Sequence, residues 1–245
     1  MLLWIIGFSL LGSVGAVAGA ALFLFFPEGI RKTLVPCLIS YATGTLLGAA
    51  FLGMIPAGLK LAPAIAVTST VLMGMVLFFM LEKLVLWRHC HDGACEVHSS
   101  AAPLILIGDA FHNFVDGVVI AVAFLTSIPL GVAASLAVIA HEIPQEIGDF
   151  AILLDNGYGR TKAMLLNGLS AAATLPGAVV AYFWLGETRA AVPYILGVSA
   201  ASFIYIAAAD LIPGLQRQVA AAASLRQFVL LIAGIGTIAL FHHGG

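Results

Sequence analysis

An all-α, polytopic membrane protein is the fold class this sequence predicts, and three observations carry the prediction. Of its 245 residues, 62% are hydrophobic and only 9% are charged, against ~45–50% and ~25% in a soluble domain. Mean hydropathy is +1.10. The apolar residues run in stretches of about 20, the length an α-helix needs to cross a ~30 Å hydrocarbon core. Residues 1–245 therefore read as a single transmembrane domain. A net charge of −2 with no basic patch gives no sign of a nucleic-acid partner, and Cys37, Cys90 and Cys95 do not make a disulfide framework.

Residues 2–26 are apolar for too long to be a signal-peptide core and lack a basic lead-in, so they read as a first, retained span. Seven more are predicted near 34–58, 62–87, 102–126, 129–154, 163–185, 191–215 and 224–242. Turn chemistry separates them: Pro27-Glu28-Gly29, Lys60 with Pro63, Ser127 with Pro129, Asn156 to Gly159, Gly186-Glu187, and Gln216 to Ser224. Alternate loops carry Arg31, Lys32, Lys83, Arg88, Arg160, Lys162, Arg217 and Arg226, while the opposite set carries only Lys60 and Arg189. The positive-inside rule then places both termini outside the cytoplasm.

On that topology, residues 88–101 form a cytoplasmic loop. It holds His89, Cys90, His91, Asp92, Cys95, Glu96 and His98, a density of soft ligands that favours a borderline metal such as zinc. The chain also echoes itself. Span 2 ends Ile55-Pro56-Ala57-Gly58-Leu59 and span 7 ends Ile212-Pro213-Gly214-Leu215. Spans 1–3 and 6–8 would be inverted repeats around a central pair, a 3+2+3 arrangement typical of transporters.

The chemistry lies in that central pair. Span 4 carries Asp109, His112, Asn113 and Asp116 on one helical stripe, and span 5 carries His141, Glu142, Gln145, Glu146 and Asp149. A short connection makes the two spans antiparallel neighbours, so the stripes can face each other. Each ionised side chain at the centre of a span costs about 2.5–3.5 kcal/mol. Unpaired, these carboxylates would together cost roughly 10 kcal/mol, comparable to a domain's whole stability of about 5–15 kcal/mol. Neither span contains Lys or Arg at that depth. A dication, protons or water must compensate. Two imidazoles with carboxylates and an amide suit Zn²⁺, Fe²⁺, Mn²⁺ or Cd²⁺ better than an alkali ion. Pro144 removes one backbone donor from span 5 and frees the carbonyl of Ala140. Asp210 in span 7 is expected to pair with Asn167, Ser170 or a backbone amide rather than with metal.

These strings resemble the span-4 and span-5 signatures of the ZIP (Zrt/Irt-like) family of divalent-metal transporters. They read His112-Asn113-Phe114-Val115-Asp116-Gly117 and His141-Glu142-Ile143-Pro144-Gln145-Glu146, and the extension Ile147-Gly148-Asp149-Phe150 resembles the LIV-1-like branch or a bacterial relative. The resemblance implies a binuclear-type site. His112, Asp116, His141 and Gln145 would form its primary position, and Asn113 and Glu142 would line a second one. It implies zinc as cargo, with iron, manganese or cadmium as alternatives, moved towards the cytoplasm by alternating access. Lipids and a second copy of the chain are the other candidate partners, and short loops suggest a bacterial inner membrane. This chain departs from the family at Gln145, where many relatives have His or Glu. It also departs at Ala49, Gly53 and Ala57 of span 2 and at Thr174-Leu175-Pro176-Gly177 of span 6, where relatives often carry ligands.

Two other readings compete with transport. His141-Glu142 begins like the HExxH motif of zinc hydrolases, but position i+4 is Gln145, which removes the second imidazole. A proton channel or purely structural membrane protein would keep titrating carboxylates without selecting among metals.

Overall fold

The computed structural model describes residues 1–23, 25–89, 101–217 and 220–243, and no strand occurs among them. Eight helices are long and apolar enough to cross a membrane. They are α1 (Leu2–Phe23), α2 (Glu28–Leu59), α3 (Ala64–Leu84), α4 (Leu106–Thr126), α5 (Ile128–Leu154), α6 (Arg160–Leu185), α7 (Arg189–Gln216) and α8 (Ala221–Phe241). The predicted metal-binding loop, residues 90–100 with the side chain of His89, lies outside the described residues.

Helix starts differ most from expectation. α2 begins at Glu28 rather than 34, and α6 at Arg160 rather than 163. Apolar runs locate only the hydrocarbon-embedded part, whereas the helices continue into the interface. Glu28 suits the positive end of the α2 dipole and meets Lys32 one turn on, at 2.7 Å.

The turn between α4 and α5 is a single residue. Ser127 caps α5 by accepting from the Leu130 amide at 3.3 Å, and Pro129 sits in the first turn, where its missing N–H costs nothing. His112 lies fifteen residues before Ser127 and His141 fourteen after it. At 1.5 Å per residue both imidazoles stand roughly 21–22 Å from the turn. That tight hairpin sets the two polar stripes at one depth.

The Ile-Pro echo has a structural counterpart. A six-residue π-helical segment precedes each: Ala49–Met54 before Ile55-Pro56, and Ile206–Leu211 before Ile212-Pro213. A proline ring clashes with the carbonyl four residues back and offers no N–H, here at Leu52 and Ala209. The wider π turn relieves both problems locally.

The bundle divides into two groups of four. α1, α4, α5 and α6 pack together, as do α2, α3, α7 and α8. Exchanging α1 with α6, α2 with α7, α3 with α8 and α4 with α5 carries the main pairings α1–α5 and α2–α8 onto α6–α4 and α7–α3. Each group contains one crossing made by glycine. A side chain on Gly117 would collide with the Thr174 carbonyl and one on Gly177 with that of Phe114, in α4–α6. In α2–α8, Gly44 and Gly234 stand in the same way against the carbonyls of Leu231 and Tyr41. Between the groups, contacts are made by side chains: buried Leu46, Ala49, Ala50 and Met54 of α2 share the core with Ala133, Ala134, Ala137 and Val138 of α5.

Candidate metal centre

Four side chains from the α4–α5 hairpin converge: His112, Asp116, His141 and Glu142 each offer one ligand atom, all within 4.8 Å of one another. On α4, His112 and Asp116 are one turn apart, and on α5 His141 and Glu142 are adjacent. The hairpin register closes the ring.

The geometry is fixed from His141. Its Nδ1 stands 2.9 Å from the carbonyl oxygen of Ala137, one turn back. A carbonyl only accepts, so Nδ1 carries a proton and Nε2 is the ring atom left to face the cluster. Phe203 of α7 packs edge-on against the same ring, with centroids 6.0 Å apart. From His141 Nε2 the distances are 3.1 Å to His112 Nε2, 3.2 Å to Asp116 Oδ2 and 3.5 Å to Glu142 Oε1. From His112 Nε2 they are 3.7 Å to Asp116 Oδ2 and 3.3 Å to Glu142 Oε1. Zinc bound tetrahedrally at about 2.0–2.1 Å sets its ligand atoms roughly 3.3 Å apart. Separations of 3.1–3.7 Å straddle that value.

Electrostatics point the same way. Asp116 and Glu142 are fully buried, and apart from the histidine nitrogens none of their four oxygens has a hydrogen-bond partner among the described residues. Leaving such groups bare costs far more than an ordinary unmade hydrogen bond. A dication held by two neutral imidazoles and two carboxylates is neutral overall. His112 is the cluster's one opening: its side chain is 19% exposed, while the other three are sealed.

Asn113 and Gln145 go elsewhere. The Asn113 amide donates to the Asp109 carboxylate at 3.1 Å and to its carbonyl at 3.2 Å, and its oxygen accepts from the Thr174 hydroxyl at 3.0 Å. Gln145 donates to the same Asp109 oxygen at 3.0 Å. Both amides hold Asp109 in this conformation. Asp109 is thus anchored between the two helices, with its other oxygen unpartnered among the described residues. Glu146 is buried with both oxygens in that condition, although its backbone carbonyl accepts from Asn167 at 3.0 Å. That bond and the local bonds of Ser170 to Leu166 and Asn167 occupy the partners expected for Asp210. Phe203 and the Ala137 carbonyl carry no mark in the sequence, and Thr174 stands out there only as a departure from the family. In the structure, Thr174 follows the break in α6 at Ala172–Ala173, before Pro176.

The family model described as ZIP Zinc transporter matches residues 88–242, which contain all four converging side chains. The chain belongs to the ZIP family. ZIP relatives include zinc transporter zipt-7.2 of Caenorhabditis elegans, 36% identical over 55% of this chain and 30% of that protein. Zinc transporter ZIP13 of Pongo abelii is 33% identical over 83% of this chain and 66% of its own length. The ZIP13 homolog of Drosophila melanogaster is 28% identical over 96% and 90% respectively. The chain thus spans under a third of the nematode relative and about two thirds of the ZIP13 protein from Pongo abelii. Matches to ZIP13-type proteins fit the LIV-1-like resemblance, and the ZIP family is one of transporters rather than enzymes.

Proposed function

We propose that this protein carries divalent transition-metal ions, zinc first, across a membrane towards the cytoplasm. One observation carries the proposal: two imidazole nitrogens and two buried carboxylates whose close partners are those nitrogens sit at zinc-ligand spacing inside an apolar bundle. The relatives named as zinc transporters support zinc as cargo. A set of two nitrogens and two oxygens also accepts iron, manganese or cadmium, and disfavours calcium and magnesium, which prefer all-oxygen shells.

His112, Asp116, His141 and Glu142 replace the ion's water as it enters. Ala137 holds His141 in the required tautomer, a support that typically matters 10–100-fold for metal affinity. Two carboxylates cancel the ion's charge, so a neutral assembly rather than a bare dication crosses the low-dielectric interior. Asn113 and Gln145 keep Asp109 beside the cage, where an acid and an amide can receive the ion in a second position. Alternating access would be a shift of α1, α4, α5 and α6 against α2, α3, α7 and α8. Glycine crossings bring helix backbones into contact within each group, while alanines together with Leu46, Met54 and Val138 line the seam between them. The basic-residue asymmetry supports outward termini. The relatives named above are all eukaryotic, so they lend nothing to a bacterial inner membrane. The hydrolase alternative gains no support, because Gln145 at the second HExxH position bonds Asp109.

Zinc flux into proteoliposomes containing the purified chain tests the proposal. Saturable uptake without peptide or lipid substrate, lost in His141→Ala, is expected. Undiminished uptake in that variant would sink it.

A further inference from the structure

Four helix ends meet on the basic face of the bundle around a cavity of about 280 Å³. Phe25 lines it from the α1–α2 turn, Arg31 from the start of α2, Phe150 and Leu154 from the end of α5, and Arg160 and Met164 from the start of α6. Two nearby lysines are engaged: Lys32 pairs with Glu28 at 2.7 Å, and Lys162 lies 4.7 Å from the centre of the Tyr158 ring. Arg31 and Arg160 make no ion pair among the described residues, the Glu28 carboxylate near Arg31 being held by Lys32. The Nε of Arg31 is moreover buried without an acceptor, a condition that costs free energy until an oxygen fills it.

Two arginines lining one cavity match a phosphate, which Arg grips with paired N–H donors. The remaining walls are Phe25, Phe150, Leu154 and Met164, which offer nothing to a hydrated anion but suit acyl chains. The position at helix ends is where lipid headgroups lie. We propose that this cavity is a binding site for an anionic phospholipid, with the phosphate held between Arg31 and Arg160 and the chains against the apolar walls. Arg31 belongs to α2 and Arg160 to α6, so the bound lipid ties the two helix groups together at that face.

Native mass spectrometry of the full chain in detergent, offered equal phosphatidylglycerol and phosphatidylcholine, tests the site. Wild-type protein should retain phosphatidylglycerol in preference. The double variant Arg31→Gln/Arg160→Gln should hold it roughly tenfold more weakly, while Lys32→Gln/Lys162→Gln, with the same loss of charge, should match wild type. Equal retention by the arginine variant, or equal loss in the lysine control, would overturn the site. Met164→Trp fills the cavity without altering charge, so it must also lose the lipid even if the arginine variant fails to fold. Retention in Met164→Trp would count against the proposal. Glycerol 3-phosphate in excess should leave the lipid in place. Displacement by it would replace the lipid assignment with a soluble phosphate ester.

Discussion

The Nε2 atoms of His112 and His141 face each other at 3.1 Å, their rings crossed at 74°, although 29 positions and a helix turn separate the residues. Because His141 donates through Nδ1 to Ala137, its Nε2 is the atom that meets the His112 nitrogen. Two lone pairs cannot face one another at that distance without a proton or a cation between them. Zinc satisfies both rings and the carboxylates beside them. His112→Ala and His141→Ala should each weaken zinc binding by at least the ~10–100-fold seen when a ligand's support is disturbed. Calorimetric titration in detergent measures this, and binding within threefold of wild type in either variant would remove that residue from the cage.

Asp116→Asn separates binding from stability. It leaves the loaded cage with one uncompensated positive charge, at a cost of about 2.5–3.5 kcal/mol at membrane depth, or roughly a hundredfold in flux. Without metal the same change removes a buried charge that meets only the two imidazoles, so thermal stability should hold or rise. A fall in metal-free Tm together with normal flux would reverse both assignments.

Zinc affinity should depend on pH in one direction. Imidazoles bind metal only when the coordinating nitrogen is free of a proton, so binding releases protons and weakens as pH falls. Imidazole titrates near ~6.5 in water. Each histidine proton displaced costs up to about tenfold per pH unit below its titration. Affinities measured from pH 8 to 5 should therefore drop towards acid, and a flat profile would mean that no histidine binds the ion.

Gln145→Ala distinguishes a ligand from a support. Its amide reaches Asp109 rather than the four-atom cluster, so equilibrium zinc affinity should change by less than about tenfold, the lower end of outer-partner effects. Flux should fall more, since Asp109 loses one of the donors that fix it. A hundredfold loss of affinity would instead make Gln145 a ligand, as its place in the motif suggests.

Gly117→Ala tests the α4–α6 crossing. The added carbon runs into the Thr174 carbonyl, and the backbone must move. Overpacking of this kind costs about 1–3 kcal/mol, roughly 5 °C in Tm. Gly236→Ala, where an added carbon meets nothing, should leave Tm unchanged.

The family's two motifs put His112, Asp116, His141 and Glu142 on paper, and a one-residue turn at Ser127 put them at one depth. Local spacing is enough for that, because a helix repeats every 3.6 residues and a tight hairpin fixes register. The destinations of Asn113 and Gln145 were not legible. An amide is both donor and acceptor, and whether it turns to metal or to Asp109 depends on which neighbour the packing presents. Ala137 and Phe203 were hidden for a related reason, since a backbone carbonyl and an apolar ring carry no chemical label.

By itself, then, the sequence determined the eight apolar helices, the hairpin that aligns the polar stripes, and the types of side chain at their centre. These follow from hydropathy, helical period and residue chemistry, which act over a few turns of chain. Only the tertiary structure decided the tautomer of His141, the diversion of both amides to Asp109 and the division into two helix groups. It alone brought Arg31 and Arg160 to one cavity. Each of these depends on contacts between residues far apart in the chain, where distance of approach, not order in the sequence, sets the energy.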